Sequence, residues 1–198
     1  MTADPLPRVG QRIILRRLAR SDLDAFQSYR LDARVSRFQG WIAQSDDEAA
    51  DLIERMSAAP LFMASAWVQI GIAERADNML IGDIGICVHA DVRSAEIGFS
   101  LRMPSQGRGL AIEAVRETCE MLFQHTAVQA IIAHADARNL ASIRLLERLG
   151  MRHVESSVNV SHGEERRELG FRLARRQASM VPGRCTTAAD SSFTGRTG

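Results

Sequence analysis

The stretch Leu101-Arg-Met-Pro-Ser-Gln-Gly-Arg-Gly-Leu-Ala-Ile-Glu-Ala114 places a glycine-rich turn between two patterned segments. Upstream, Ala95, Ile97, Phe99 and Leu101 alternate with Glu96, Gly98 and Ser100, the period of a half-buried strand, and Pro104 then stops the ladder. Downstream, Ile112, Val115, Cys119 and Leu122 recur at helical spacing, so the first backbone N–H groups without intrahelical partners fall around Gly107 to Ala111. Several donors converge there, the helix dipole favours negative charge, and Gly107 and Gly109 lack the Cβ atoms that would hold phosphates away. A diphosphate fits such a site. The spacing is neither the dinucleotide fingerprint G-x-G-x-x-G nor the P-loop. It reads Gln106-x-x-Gly109-x-Ala111. A second strand-to-helix unit runs from Ile131 to Met151, with Asn139 or Asp136 as the cap and Gly150 as the stop. Leu140, Ile143, Leu146 and Leu149 form its buried stripe, and Arg144, Glu147 and Arg148 its wet one.

Together the two units resemble the GNAT superfamily of acyl-CoA-dependent N-acyltransferases. Its pyrophosphate loop is written Q/R-x-x-G-x-G/A between a strand and a helix. Its second motif is N-x-x-[SA]-x-x-[LV]-[LYF]-E-[KR]-x-G-F, matched here by Asn139-x-x-Ser142 and Glu147-Arg-Leu-Gly-Met151, with Met in place of the usual Phe. The likeness is nearest to the Rim-type branch of ribosomal-protein N-terminal acetyltransferases. It extends to Arg12–Leu18 with Asp22–Phe26, Val35–Trp41 with Ser45–Ala49, the paired segments Ile81–Ile86 and Ala95–Leu101, and the alternating Leu169, Phe171 and Leu173. The resemblance covers roughly residues 11 to 176.

It implies an α+β fold of three layers, a mixed central sheet of six to seven strands with helices on both faces. It implies acetyl-CoA as acyl donor, an amine as acceptor, and a cofactor surface made by Phe99, Leu101, Met103, Gln106, Gly107, Arg108, Gly109, Leu110, Ala111, Asn139 and Ser142. Within that surface a backbone N–H between Phe99 and Met103 takes the thioester oxygen and Asn139 binds the pantetheine arm. Many members protonate the leaving thiolate with a tyrosine after the Asn motif. The one tyrosine here, Tyr29, lies on the first helix, so the resemblance assigns that role to Ser142. Phe38 and Trp41 resemble acceptor-wall residues of the branch.

Acyl transfer to an amine needs a neutral nucleophile, a polarised carbonyl and a proton for the departing thiolate. Glu96, on the strand beside the loop and on the face opposite Ile97 and Phe99, is the first candidate base, and Glu168 the second. A carboxylate in a partly dry cleft should have a raised proton affinity. His89, His125, His134, His153 and His162 show no metal-ligand spacing and read as structural or exposed; no metal is expected. The resemblance implies a protein N-terminus as acceptor, with a small amine such as a polyamine, amino acid or aminoglycoside as the alternative. Asp46-Asp-Glu48 could greet the latter, or could simply serve a helix dipole. A catalytically silent acyl-CoA-binding regulatory module is the alternative of another class.

The remaining features fit one domain that positions these residues. The chain has 198 residues, 45% hydrophobic, with a net charge of +1, enough to bury a core and no signature of nucleic-acid binding. All its long basic side chains are Arg, and Cys87, Cys119 and Cys185 are unpatterned, as suits reduced thiols in a cytoplasmic protein. The first residues lack a basic n-region and an apolar h-region, and no long apolar run follows, so no membrane contact is expected, and a monomer or homodimer is the expected state. Phe62, Ala64, Ala66, Val68, Ile70 and Ile72 suggest one long strand, and Ile84, Ile86 and Val88 the next, with a turn at Ala76-Asp-Asn78. Strands, a helix crossover, a strand, a helix and two closing strands make a mixed sheet. Residues 1–10 read as a lead, 11–176 as the domain, and 177–198 as a disordered or loosely attached tail.

Overall fold

The computed structural model describes residues 4–161 and 164–175, so the expected tail at 177–198 lies outside the described residues. Eight strands form one sheet in the order β1-β2-β3-β4-β5-β6-β8-β7. They are β1 (Arg8–Val9), β2 (Ile13–Arg16), β3 (Trp67–Glu74), β4 (Leu80–Val88), β5 (Ser94–Leu101), β6 (Ala130–Asp136), β7 (Arg152–Ser161) and β8 (Glu164–Ala174). All neighbours are antiparallel except β5 and β6, which run parallel and are joined through a helix. The helices are α1 (Leu23–Arg30), α2 (Ala33–Ser36), α3 (Asp46–Ala58), α4 (Leu110–His125) and α5 (Leu140–Arg148).

Two expectations need correction. The sheet has eight strands rather than six to seven, because Arg8–Val9 pair with Ile14 and Leu15. That short edge strand is anchored by Arg8, whose guanidinium reaches Glu117, Glu120 and Gln124 on α4. The strand expected from Phe62 begins only at Trp67. Ser65 has φ 60°, a left-handed conformation that breaks the alternation, and Ala64 keeps a single bridge to Val88. The hairpin at Ala76-Asp-Asn78 forms as read, with Asn78 at φ 59°.

One face of the sheet packs on α4 and α5. Ile13, Leu15, Ile70, Ile72, Ile84, Ile86 and Ile97 meet Leu110, Val115, Leu122 and Leu146 in a continuous core. At about 1.5–3 kcal/mol per fully buried aliphatic side chain, this layer is the main favourable term. On the other face α1 and α3 rest on β4 and β3. There Leu18, Phe26, Tyr29, Ile53 and Leu80 make a smaller core. Helix α3 starts where Ser45 and Glu48 cap each other reciprocally. Among the described residues no helix is long and apolar enough to cross a membrane.

Beneath α1 a buried ion pair joins Arg30 to Asp83 of β4. Burial pushes the Asp83 carboxyl up from its ordinary range, and the Arg30 charge opposes that shift. The guanidinium is also sandwiched between the rings of Phe26, 4.4 Å away, and Trp41, 4.1 Å away. Removing one partner strands a charge in the interior. Arg30→Met should therefore cost about 3–5 kcal/mol in chemical denaturation, and adding Asp83→Leu should restore part of it. A single-variant loss below about 1 kcal/mol would show the pair to be dispensable.

Candidate functional site

The sheet parts between β5 and β6. The two strands share only three register pairs, Ser94 with Ala130, Ala95 with Ile131 and Glu96 with Ile132. Beyond Glu96, β5 runs on to Leu101 and β6 to Asp136 without meeting. A cavity of about 450 Å³ occupies the gap on its far side. It is lined by Phe99, Ser100, Leu101 and Met103 from β5 and the turn after it, by Gln106, Gly107 and Gly109, and by Asn139, Ser142 and Leu145 from α5. Strand carbonyls face into it. The Phe99 carbonyl accepts from Gln39 Nε2 at 3.4 Å and that of Leu101 from Gln106 Nε2 at 2.8 Å.

At the mouth of the gap the glycine turn is built by backbone conformation. Gly107 has φ 72° and Gly109, the residue before α4, has φ 77°. Both lie in the left-handed region, where a Cβ is strained whatever space surrounds it. The sequence reading gave ligand access as the reason for these glycines; the turn itself already requires them. Arg12 clamps the turn from behind. Its two terminal nitrogens donate to the carbonyls of Arg108, at 2.8 Å, and Gly109, at 3.1 Å, while Nε meets Glu113 at 2.9 Å. With those carbonyls held outward, the N–H groups of the first turn of α4 stay directed at the cavity mouth.

Not every cofactor residue expected from the sequence presents its side chain. Arg108 is tied to Glu74 at 2.6 Å and Leu110 is buried in the core, so only their backbone is at the turn. Ala111 lines the cavity. Arg144 and Arg148 are exposed, as the sequence reading had them, and both also border the cavity, one helical turn apart, adding positive charge to it.

Helix α5 begins at Asn139, whose Oδ1 accepts from the Ser142 N–H at 3.2 Å. Asp136 is instead engaged by Arg138. Ser142 is half-buried, and its hydroxyl has no hydrogen-bond partner among the described residues. A serine that merely closed its own helix turn would bond a carbonyl, and this one does not. Leu140, expected in the buried stripe, is 57% exposed because it is the first residue of the helix and overhangs the core.

The two aromatic residues expected to line the acceptor separate. Phe38 lines the cavity, whereas Trp41 is folded under Arg30 against the smaller core. Tyr29 is buried beside Arg30 and Asp83, its hydroxyl pushed well up by burial and by the Asp83 charge. It does not line the cavity.

Glu96 and Glu168 do not line the cavity. They stand on the face of the sheet that carries Ser100, Glu96 at the closed end of the gap and Glu168, paired with Asp136, toward its open end. Glu96 Oε1 is 3.1 Å from His134 Nδ1, and Oε2 is 3.8 Å from His89 Nε2. The bond from His134 lowers the Glu96 carboxyl, outweighing burial, so the raised proton affinity expected of it is not found. His134, read from sequence as merely structural or exposed, is raised by that bond in turn, with further contributions from the charge of Glu168 and from the side chain of Glu155.

A parallel pair that parts, with a glycine-turned helix start at one mouth and an asparagine-capped helix along the side, defines a CoA-type acyltransferase fold. The chain belongs to the GNAT acetyltransferase family, and residues 12–152 match the Acetyltransferase (GNAT) domain. It is 29% identical over 141 residues to the uncharacterized N-acetyltransferase YoaA of Bacillus subtilis, covering 70% of this chain and 78% of that one. Its fold is similar to that of spermidine N-acetyltransferase from Vibrio cholerae in complex with CoA and spermine, with TM-score 0.71, 18% identity, and coverage of 83% and 96% of the two chains. It is also similar to RimL, a ribosomal α-N-protein acetyltransferase in complex with coenzyme A, with TM-score 0.72, 13% identity, and coverage of 85% and 97%.

The turn geometry predicts that Gly109→Val weakens CoA binding more than tenfold, about 1.4 kcal/mol or more, by isothermal titration. Gly109→Asn, better suited to a left-handed φ, should bind better than the valine variant. Equal affinity of wild type and a folded Gly109→Val would remove the turn from the binding site.

Proposed function

We propose that the protein transfers the acetyl group of acetyl-CoA to a primary amine by direct attack in a ternary complex. The observation that carries this reading is the gap itself: one cavity brings together an anion-binding helix start, unpaired strand backbone and an unengaged serine hydroxyl. The N–H groups around Gly107 to Ala111 fit a pyrophosphate, and Arg144 and Arg148 reinforce its charge. Asn139 holds the entrance of α5 and borders the path of a pantetheine arm.

In a strand the N–H and C=O of one residue point to the same side, and the Phe99 carbonyl faces the gap. The Phe99 N–H is then the donor that polarises a thioester carbonyl lying along β5. Ser142 donates to the sulfur as the C–S bond breaks. The amine approaches from the face of the sheet that carries Glu96 and Glu168; the expectation that one of them handles its proton is taken up below.

Among acceptors, a protein N-terminus is the reading we favour. A polyamine pocket built on Asp46-Asp-Glu48 is less well supported, because Glu48 is engaged in the cap of α3 and Asp46 accepts from Gln27. Of the solved relatives, one carries a ribosomal-protein activity in its name and another a spermidine activity, so both acceptor classes belong in the assay.

Release of CoA thiol from acetyl-CoA should be followed with a panel of peptides bearing free N-termini, polyamines and amino acids. Stimulation by none of them would leave a silent acyl-CoA-binding module. With the best acceptor, Ser142→Ala should lower kcat by about ten- to a thousandfold, because its bond forms only as negative charge grows on sulfur. Acetyl-CoA affinity should barely change, and an unaltered kcat would return Ser142 to a purely structural role.

A further inference from the structure

The structure assigns a proton-accepting role to His134, with Glu96 as the residue that orients it, at the point where an acceptor amine meets the gap from the open face of the sheet. The assignment rests on the acetyl-transfer reading above and names the group that deprotonates the amine.

Glu96 and Ile132 are the last pair joining β5 to β6, and His134 lies two residues further along β6, on the same face as Glu96. The Glu96 to His134 bond therefore spans the two strands where their backbone pairing ends. One step further along that face of β5 is Gly98, which is exposed and has nothing within 4 Å of where a Cβ would stand. Beside the dyad the strand backbone is thus open on the face that carries Glu96 and His134. With Nδ1 committed to Glu96, the imidazole presents Nε2 outward, toward Glu155 of β7 at 3.6 Å. Gly170 of β8 makes room for this, since a Cβ there would lie 2.7 Å from Cγ of Glu155.

The charged groups facing this ring come from three strands. Glu96 is on β5, Glu155 on β7 and Glu168 on β8, the last acting through its charge. Arg172 follows two residues after Gly170 on the same face of β8. His89, just beyond β4, faces Glu96 from the other side, and Cys87 of β4 stands opposite Glu96 in the register. Three carboxylates around one imidazole make a surface that attracts a cationic amine and stabilises the imidazolium formed when it loses a proton.

In the reaction, His134 Nε2 takes one proton from the ammonium, and the free amine then forms the N–C bond at the thioester carbonyl. As the tetrahedral adduct collapses, the C–S electron pair leaves on sulfur. The second N–H proton is lost, and the thiolate is protonated through Ser142. The imidazolium returns its proton to solvent, so the balance is amide, CoA thiol and one released proton.

The sign of the pH dependence follows. His134 acts as the neutral ring, and its neighbours hold its proton more tightly than usual, so kcat/KM should rise with pH through that raised value. The test measures kcat/KM against pH for the wild type, Glu96→Gln and His134→Gln, with two acceptor amines of different basicity, alongside NMR titration of the His134 ring. An acid limb set by the enzyme stays in place when the amine is changed. His134→Gln should lose this limb and fall by about a hundred- to ten-thousandfold, with CoA affinity within about twofold. In Glu96→Gln the limb and the NMR midpoint should both move to lower pH, because a carboxylate that stabilised the imidazolium is gone. A limb retained in His134→Gln, or abolished in Glu96→Gln while that NMR midpoint stays put, overturns the assignment. Failure of every amine to stimulate turnover by the wild type overturns the acetyl-transfer reading, and this assignment with it. Turnover with a His134-independent profile overturns this assignment alone.

Discussion

A β-sheet is stable because each strand satisfies the backbone of its neighbours, and this one withholds that satisfaction at one place. Strands β5 and β6 pair over three positions and then diverge, leaving the backbone groups of Phe99 and Leu101 turned toward a gap. Unpaired backbone away from water is costly, so such groups need other partners. Two glutamine side chains serve part of that need, Gln39 on the Phe99 carbonyl and Gln106 on the Leu101 carbonyl. An extended ligand with amides of its own, lying in the gap, would complete the pairing. The parting of the strands is thus both the main local cost of the fold and the reason it can hold a pantetheine-like arm.

The rest of the sheet keeps that gap in a fixed shape. On one side, α4 is bound to β2 by the aliphatic core and by Arg12, which grips the turn before the helix through two carbonyls and Glu113. On the other, β6 is locked to β8 over seven register pairs, so it cannot close back onto β5 without breaking them. Beneath α1, the Arg30 to Asp83 pair and the rings stacked on Arg30 fix the segment that carries Phe38 and Gln39 over the cavity. Each brace joins elements distant in sequence, and each holds a wall of the same cavity.

The gap has two sides with different chemistry. The cavity side gathers helix-start donors and the guanidinium groups of Arg144 and Arg148, suited to an anionic, amide-bearing donor. The open side gathers Glu96, Glu155 and Glu168 around His134, suited to a cation and to its proton. Under the proposed reaction, this separation of charge would keep two substrates of opposite charge apart until they meet at the strand backbone.

Much of this was legible in the residues themselves. The alternation of Ala95 to Leu101, the glycines before Leu110, the Ser45 to Glu48 cap and the Asn139 cap are local signals, carried by side-chain period and by which residues tolerate a left-handed φ. Local physics decides them wherever the segment lies. The pairing of the Gln106 and Asn139 motifs was enough to suggest the fold and its cofactor. The sequence could not tell which side chains share a face across strands. His134 and Glu96 are 38 residues apart, and their bond exists only because a parallel register sets β6 beside β5. The same holds for Arg12 at the turn, for Trp41 folded under Arg30, and for Arg144 and Arg148 turned to the cavity. Periodicity gives a residue's face within its own element, whereas the neighbour that tunes its charge is chosen by sheet register and helix docking, which are long-range packing decisions.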